Sequence, residues 1–74
     1  MTNVGTKEIQ IVVNGQVRSV PEGQTLAQLL VSLDIAGDRV AVELDRKIVR
    51  RSEWDNTRIG PGAALEIVQF VGGG

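Results

Sequence analysis

The sequence predicts an α+β fold in which a mixed sheet of about five strands packs against one main helix. Three observations support this prediction. Apolar and polar residues alternate in several short segments, as they do in strands with one buried face. One segment instead carries its leucines at the spacing of a helix face. Stretches containing glycine, asparagine or proline separate these segments, and 74 residues leave room for one such domain.

The N-terminal part of the chain is predicted to form a β-hairpin. The alternating apolar residues of its first strand are Ile9, Ile11 and Val13. Asn14-Gly15 follows directly, and this dipeptide favours the positive φ angles of a type I′ turn. The second strand, about 16–20, contains Val17 and Val20, which cannot both face the core of a regular strand. This strand therefore needs either a bulge or one outward-facing valine.

The main helix is predicted to begin after Pro21-Glu22-Gly23. Thr25 can cap it, and Gln28 stands at the position that completes a capping box. Its apolar face is formed by Leu26, Leu29, Leu30 and Leu33. Gly37 is predicted to end the helical region in a left-handed conformation.

The second half of the chain is predicted to form another hairpin and a short helical turn. The alternating apolar residues of the third strand are Val40, Val42 and Leu44. Asp45-Arg46 is then predicted to turn the chain into a short strand at 47–49. The run Ser52-Glu53-Trp54-Asp55 is typical of a single capped helical turn, which would place Trp54 at the edge of the core.

The last strand is predicted at 64–70, after a type II turn at Gly60-Pro61-Gly62. Leu65 and Ile67 would face the core, so Val68 and Phe70 must point outwards. Isolated apolar residues are common on protein surfaces. These two, however, stand directly before the C-terminal glycines. We therefore predict a docking patch for partner proteins, formed by Val68, Phe70 and Val71.

Composition excludes several classes of function. The chain contains no cysteine and no histidine, so the familiar nucleophile–base pairs and the usual zinc, copper and haem ligands are absent. A net charge of −1 gives no electrostatic footprint for nucleic acid. The polar N-terminus does not resemble a signal peptide, and no apolar run approaches the length of a membrane span. We expect a cytoplasmic protein without metal, bound cofactor, nucleic-acid partner or membrane partner.

The C-terminal glycines, Gly72-Gly73-Gly74, are the unusual feature of this sequence. They predict a flexible tail at 72–74, after a flexible N-terminal arm at 1–7 and a folded domain at 8–71. Glycine has no Cβ, so a tail of glycines that ends in a carboxylate can enter a narrow channel in a partner. Four extended residues reach roughly 13 Å. The alternative is a floppy end without function, or residues added during cloning.

The chain resembles the sulfur carrier proteins of thiamine-thiazole biosynthesis, which have a ubiquitin-like β-grasp fold. The resemblance covers nearly the whole chain after residue 8. It is carried by 11–15, 21–26, 39–43, 48–49, 51–54 and 66–74. The specific parts are Arg51-Ser52-Glu53-Trp54 and the ending Phe70-Val71-Gly72-Gly73-Gly74. The chain departs from the family pattern at Arg50, where proline is frequent, and at 60–64, where the family usually has a Gly-Asp turn.

The resemblance implies a cycle in which the chain is a protein co-substrate and not an enzyme. An E1-like adenylating enzyme would use ATP to activate the carboxylate of Gly74. A persulfide sulfur donor would convert the adenylate to a thiocarboxylate, and thiazole synthase would receive the sulfur. Gly72 and Gly73 would be the part of the tail inserted into the partner.

Three other interpretations share some of these features. The small subunit of molybdopterin synthase has the same fold and a Gly-Gly end, although the residues before its tail usually differ from 69–71 of this chain. A ubiquitin-like modifier would use the same adenylate to acylate lysines. A plain interaction module would never be activated.

Overall fold

A computed structural model describes residues 7–70 and contains the α+β architecture that the sequence predicts. The strands and the helix, in chain order, are β1 (Glu8–Val13), β2 (Gln16–Pro21), α1 (Leu26–Ser32), β3 (Val40–Leu44), β4 (Lys47–Val49) and β5 (Ala64–Gln69). Two 3₁₀ helices, at Gly37–Arg39 and Arg51–Asn56, precede and follow the second hairpin. Among the described residues, no helix has the length and apolar character needed to span a membrane.

The five strands form one mixed sheet in the order β2-β1-β5-β3-β4. Both hairpins pair antiparallel, and β5 enters between them. It runs parallel to β1 and antiparallel to β3. The last strand of the chain is therefore the central strand of the sheet. The predicted mixed sheet of about five strands and one main helix is confirmed, and this arrangement is that of the ubiquitin-like β-grasp fold.

Both hairpins turn through two residues with positive φ. The angles are 50° and 83° at Asn14-Gly15 and 50° and 72° at Asp45-Arg46. Positive φ at both central residues defines the type I′ turn that the first dipeptide predicted. The two-residue turn sets a continuous register in which Val20 pairs with Ile9. Val20 is consequently buried and Val17 is the outward-facing valine, with 65% of its surface exposed.

The core lies between the inner face of the sheet and α1. A complete capping box starts the helix: the Gln28 N–H donates to Thr25 Oγ1, and the Thr25 N–H donates to Gln28 Oε1. The buried apolar residues of the core are Ile11, Val13, Val20, Leu26, Leu29, Leu30, Val42, Trp54, Ile59, Ala63, Leu65 and Ile67. Leu33, the last leucine of the predicted helix face, is partly buried at the helix C-cap.

The predicted role of Gly37 as the left-handed end of the helix is wrong. Asp34 occupies that position with a φ of 61°. Its N–H donates to the carbonyl of Val31, and the N–H of Ile35 donates to that of Leu30, which together form a Schellman motif. Aspartate tolerates the left-handed region better than most residues, so no glycine is required there. A Cβ on Gly37 would lie 2.8 Å from Cζ3 of Trp54, so Gly37 permits close packing.

The short helical turn predicted around Trp54 is a 3₁₀ helix in the structure. Its N-cap residue is Arg50, and no side chain caps it, so the predicted capping is wrong. Trp54 belongs to the core, with 6% of its surface exposed. Its indole N–H donates to the carbonyl of Val49 at 2.9 Å. This bond satisfies the polar atom of the ring and ties the 3₁₀ helix to β4.

The turn before β5 has the predicted form. Gly62 has a φ of 80°, and the N–H of Ala63 donates to the carbonyl of Gly60 at 3.2 Å. Proline at the second position and glycine with positive φ at the third are typical of type II. Residues 1–6 of the predicted N-terminal arm and the tail at 72–74 lie outside the described residues, as does Val71.

Candidate functional site at the end of strand β5

The alternation along β5 places two large apolar side chains on the outer face of the sheet. Leu65 and Ile67 are buried, as predicted, with 1% and 8% of their surfaces exposed. Val68 and Phe70 are 54% and 59% exposed. The outward orientation of these two residues is confirmed. Their predicted docking role, and that of Val71, stays a prediction.

The C-terminal end of β5 is held on one side by β3. Val68 pairs with Ala41, and Gln69 pairs with Val40. The N–H of Phe70 continues this ladder by donating to the carbonyl of Arg39 at 2.9 Å. Backbone hydrogen bonds therefore hold the strand up to the last described residue. The outer-face side chain opposite Val68 is only an alanine, which leaves the valine open to a partner.

On its other side, β5 is held by the turn of the first hairpin. The N–H of Asn14 donates to the carbonyl of Leu65 at 2.9 Å. The side chain of Asn14 then makes two bonds to Ile67. The Ile67 N–H donates to Oδ1 at 2.7 Å, and Nδ2–H donates to the Ile67 carbonyl at 3.2 Å. The sequence interpretation used Asn14 for its turn conformation alone and missed these contacts across 53 positions.

The turn of the second hairpin contacts the opposite end of the same strand. Oδ1 of Asp45 accepts a hydrogen bond from the N–H of Ala64 at 3.0 Å. The N–H of Asp45 donates to the carbonyl of Ala64 at 2.8 Å. Asn14 and Asp45 are each the first residue of a two-residue turn, and each directs its side chain to the backbone of β5. The signal in the sequence is an Asx residue at the start of each turn.

The outer face of the sheet carries further exposed apolar residues at its two edges. Val17 on β2 is 65% exposed, and Ile48 on β4 is 74% exposed. In the register of the sheet, Val17 pairs with Val12, and Ile48 pairs with Glu43. Val68 on the central strand and Phe70 directly after it are therefore the exposed large apolar residues at the end of this strand that leads to residue 71.

The helix layer has a groove of about 240 Å³ between α1 and the second 3₁₀ helix. Its lining is Ala27, Leu30, Val31, Ile35, Gly37, Arg51, Trp54 and Asp55. The groove lies on the helix side of the sheet and Val68 on the other side. It is thus separate from the surface that continues into the glycine tail. Residues 72–74, which the sequence assigns to the chemistry, lie outside the described residues.

Comparisons with known proteins agree with this fold. The ThiS family model matches residues 8–74. The chain is 30% identical over 66 residues to the sulfur carrier protein ThiS of Escherichia coli, covering 89% of this chain and 100% of that protein. A crystal structure of the thiamine biosynthesis protein ThiS from Geobacter metallireducens superposes with a TM-score of 0.78 at 33% identity, covering 89% of this chain and 100% of that one.

The chain is also similar to part of a larger protein. It is 36% identical over 66 residues to a thiazole synthase of Paramagnetospirillum magneticum, which covers 89% of this chain. The matched segment is 20% of that protein, so the chain spans about a fifth of the length of this relative. Since the family match covers most of the chain and the carrier of Escherichia coli is matched over its whole length, the chain belongs to the ThiS family of sulfur carrier proteins of thiamine biosynthesis.

Proposed function

We propose that the carboxylate of Gly74 carries the sulfur as a thiocarboxylate and delivers it to thiazole synthase. An E1-like enzyme activates the carboxylate with ATP, and a persulfide provides the sulfur. The chain itself is a co-substrate of these partner enzymes and not a catalyst. The observation that carries the proposal is the end of β5, where Val68 on the strand and Phe70 directly after it are exposed shortly before the glycines.

The proposed chemistry needs an activated carboxyl group because a carboxylate anion is a poor electrophile. Its oxygen attacks the α-phosphate of ATP, pyrophosphate leaves, and a mixed anhydride with AMP forms. A persulfide sulfur then attacks the Gly74 carbonyl carbon, and AMP leaves. The product is an acyl disulfide that joins the donor to Gly74. A partner thiol then attacks the donor-side sulfur, a disulfide forms between this thiol and the donor, and the thiocarboxylate leaves with the electron pair of the broken sulfur–sulfur bond.

This chain contributes position to these steps, which take place in the active sites of its partners. With no cysteine and no histidine in the sequence, the nucleophiles and bases come from the partners. The β-grasp domain docks through Val68, Phe70 and Val71, while Gly72 and Gly73 pass through a narrow channel. Glycine suits this segment because it has no Cβ and accepts φ angles that other residues adopt only with strain.

The partnership with thiazole synthase has support from the composite relatives. A segment similar to most of this chain forms a fifth of a protein named thiazole synthase in Paramagnetospirillum magneticum, and the same holds for a relative from Magnetococcus marinus. Covalent linkage of two modules raises their effective concentration for each other. A carrier-like segment within a thiazole synthase chain is therefore consistent with direct transfer between the two.

The test is mass spectrometry of the intact protein from its native cell. We expect the C-terminal peptide to gain the mass difference between sulfur and oxygen, at the carboxyl group of Gly74. Lysine-linked conjugates of the chain would instead favour a ubiquitin-like modifier. An unmodified carboxyl group, in cells that are making thiamine, would contradict the proposal and favour a plain interaction module.

A reconstituted reaction identifies the partner. The purified chain is incubated with the activating enzyme, ATP and a persulfide donor, and then with thiazole synthase or with the large subunit of molybdopterin synthase. We expect loss of the thiocarboxylate only in the presence of thiazole synthase and its substrates. Loss with the molybdopterin enzyme alone would assign the chain to that pathway.

A further inference from the structure

The C-terminal half of β5 extends beyond the end of β1. The last backbone pair between these parallel strands joins Val13 to Leu65, and β1 then enters its turn. On the other side, the pairing with β3 continues to Gln69. Without a further contact, β5 after Leu65 would have an open edge facing the first hairpin, at the end of the strand that leads to the tail.

The side chain of Asn14 closes the first part of this edge. A carboxamide has the same donor and acceptor groups as a peptide bond. Here it accepts from the N–H of Ile67 at 2.7 Å and donates to the carbonyl of the same residue at 3.2 Å. A neighbouring strand in a sheet satisfies these two groups in the same way. The carboxamide thus adds one rung to the β1–β5 ladder, after the backbone of β1 has turned away.

We propose that Asn14 is a positioning residue that sets the direction in which β5 delivers the tail. This inference rests on the proposed function, because it assigns a role in presenting Gly74 to the activating enzyme. Ile67 lies directly before Val68 and three residues before Phe70, so its two hydrogen bonds fix the backbone directly before the docking patch. With β3 on one side and the Asn14 carboxamide on the other, the strand is held from both sides at this point.

Position 14 requires a residue that accepts a positive φ and whose side chain carries both a donor and an acceptor for Ile67. Asparagine meets both requirements. The φ angle of 50° is in the left-handed region, which glycine, asparagine and aspartate adopt more readily than most residues. Of these three, only asparagine also brings both a donor and an acceptor. Aspartate would keep the acceptor for the Ile67 N–H but would place a second acceptor against the Ile67 carbonyl.

The experiment compares Asn14→Gly with a matched control on the other hairpin. Asn14→Gly keeps the positive φ of the turn and removes the carboxamide. Asp45→Gly makes the equivalent change at a φ of 50° and removes the bond to Ala64, at the start of β5. Both variants lose a side chain that bonds to the same strand, but only the first loses it beside the tail. Asn14→Asp is the conservative variant that retains one bond.

The first readout needs no partner. Amide hydrogen exchange at Ile67 and ¹H–¹⁵N heteronuclear NOE values at 68–70 are measured by NMR for the three variants and the wild type. Loss of a hydrogen bond of about 1 kcal/mol predicts exchange at Ile67 faster by roughly fivefold in Asn14→Gly. We also expect lower NOE values at 68–70 in this variant and wild-type values in Asp45→Gly. Unchanged exchange and NOE values in Asn14→Gly would overturn the inference.

The second readout is the single-turnover rate of adenylation at saturating activating enzyme. We expect adenylation of Asn14→Gly to be roughly tenfold slower, with a nearly unchanged half-saturating concentration of activating enzyme, because a displacement of about 1 Å at a reacting centre can cost a hundredfold in rate. Asn14→Asp should have an intermediate rate. Asp45→Gly should have the wild-type rate. Wild-type rates in Asn14→Gly, at a temperature where it is folded, would show that the contact is structural only. If the wild type itself is not adenylated, the proposed function fails, and the NMR readout still decides whether Asn14 holds the strand.

Discussion

Replacement of Phe70 by aspartate tests the docking surface most directly. The side chain is 59% exposed, so roughly two fifths of its surface already contacts the domain. Full burial of a phenylalanine is worth up to about 3 kcal/mol. The exposed part can therefore contribute roughly 1.5–2 kcal/mol when a partner covers it. Aspartate loses this contribution and also places an unpaired carboxylate against an apolar contact.

We expect the dissociation constant for the activating enzyme to rise at least 30-fold, which corresponds to about 2 kcal/mol. Stability should fall by about 1 kcal/mol at most, because Phe70 follows β5 and is mostly exposed. Isothermal titration calorimetry measures the affinity, and thermal unfolding followed by the fluorescence of Trp54 measures the stability. Trp54 is the single tryptophan and is buried, which makes it a suitable probe of the fold.

The matched control is Val17→Asp. Val17 is a similarly exposed apolar residue on the same face of the sheet, but it lies on the edge strand β2. This variant introduces the same charge without touching the end of β5. Wild-type affinity is expected. If Phe70→Asp also bound with wild-type affinity, or if both variants were weakened equally, the docking patch at the end of β5 would be refuted.

Three further predictions concern the tail and the core. Deletion of Gly73 and Gly74 should leave the melting temperature unchanged and abolish ATP–pyrophosphate exchange by the activating enzyme; normal exchange would contradict the role of the tail. Gly73→Ala should preserve partner affinity and slow single-turnover adenylation by up to a hundredfold, since its methyl group restricts passage through the channel; equal rates would show that the channel accepts side chains. Gly37→Ala should cost about 1–3 kcal/mol in the free energy of unfolding, because its Cβ would lie 2.8 Å from Trp54. A neutral result in chemical denaturation would mean that the indole ring moves aside.

Local patterns predicted most of the elements because the interactions that form them are close in sequence. The turn at Asn14-Gly15 depends on the φ preferences of two residues. The capping box needs only Thr25 and Gln28, one helical turn apart. The burial of Leu65 and Ile67, with exposure of Val68 and Phe70, follows from the two-residue period of a strand.

The sequence does not predict the conformation of residues for which two alternative structures satisfy the same local pattern. Only one of Val17 and Val20 can face the core in a regular strand, and in the register with β1 it is Val20. Glycine is common at helix ends, so the pattern favours Gly37 there, whereas Asp34 occupies that position. The packing of Gly37 against Trp54 joins residues that no local rule connects.

The sequence by itself determined the five strands, the main helix, which face of β5 is buried, and the glycines at 72–74, because period, turn chemistry and composition are local properties. It did not predict the 3₁₀ helix at Gly37–Arg39. Only the tertiary structure placed β5 at the centre of the sheet, between β1 and β3. It also brought the Asn14 side chain to Ile67, 53 positions away. The physical reason is that strand order and cross-chain hydrogen bonds depend on how the two hairpins and the helix bury their apolar faces together, which no single segment specifies.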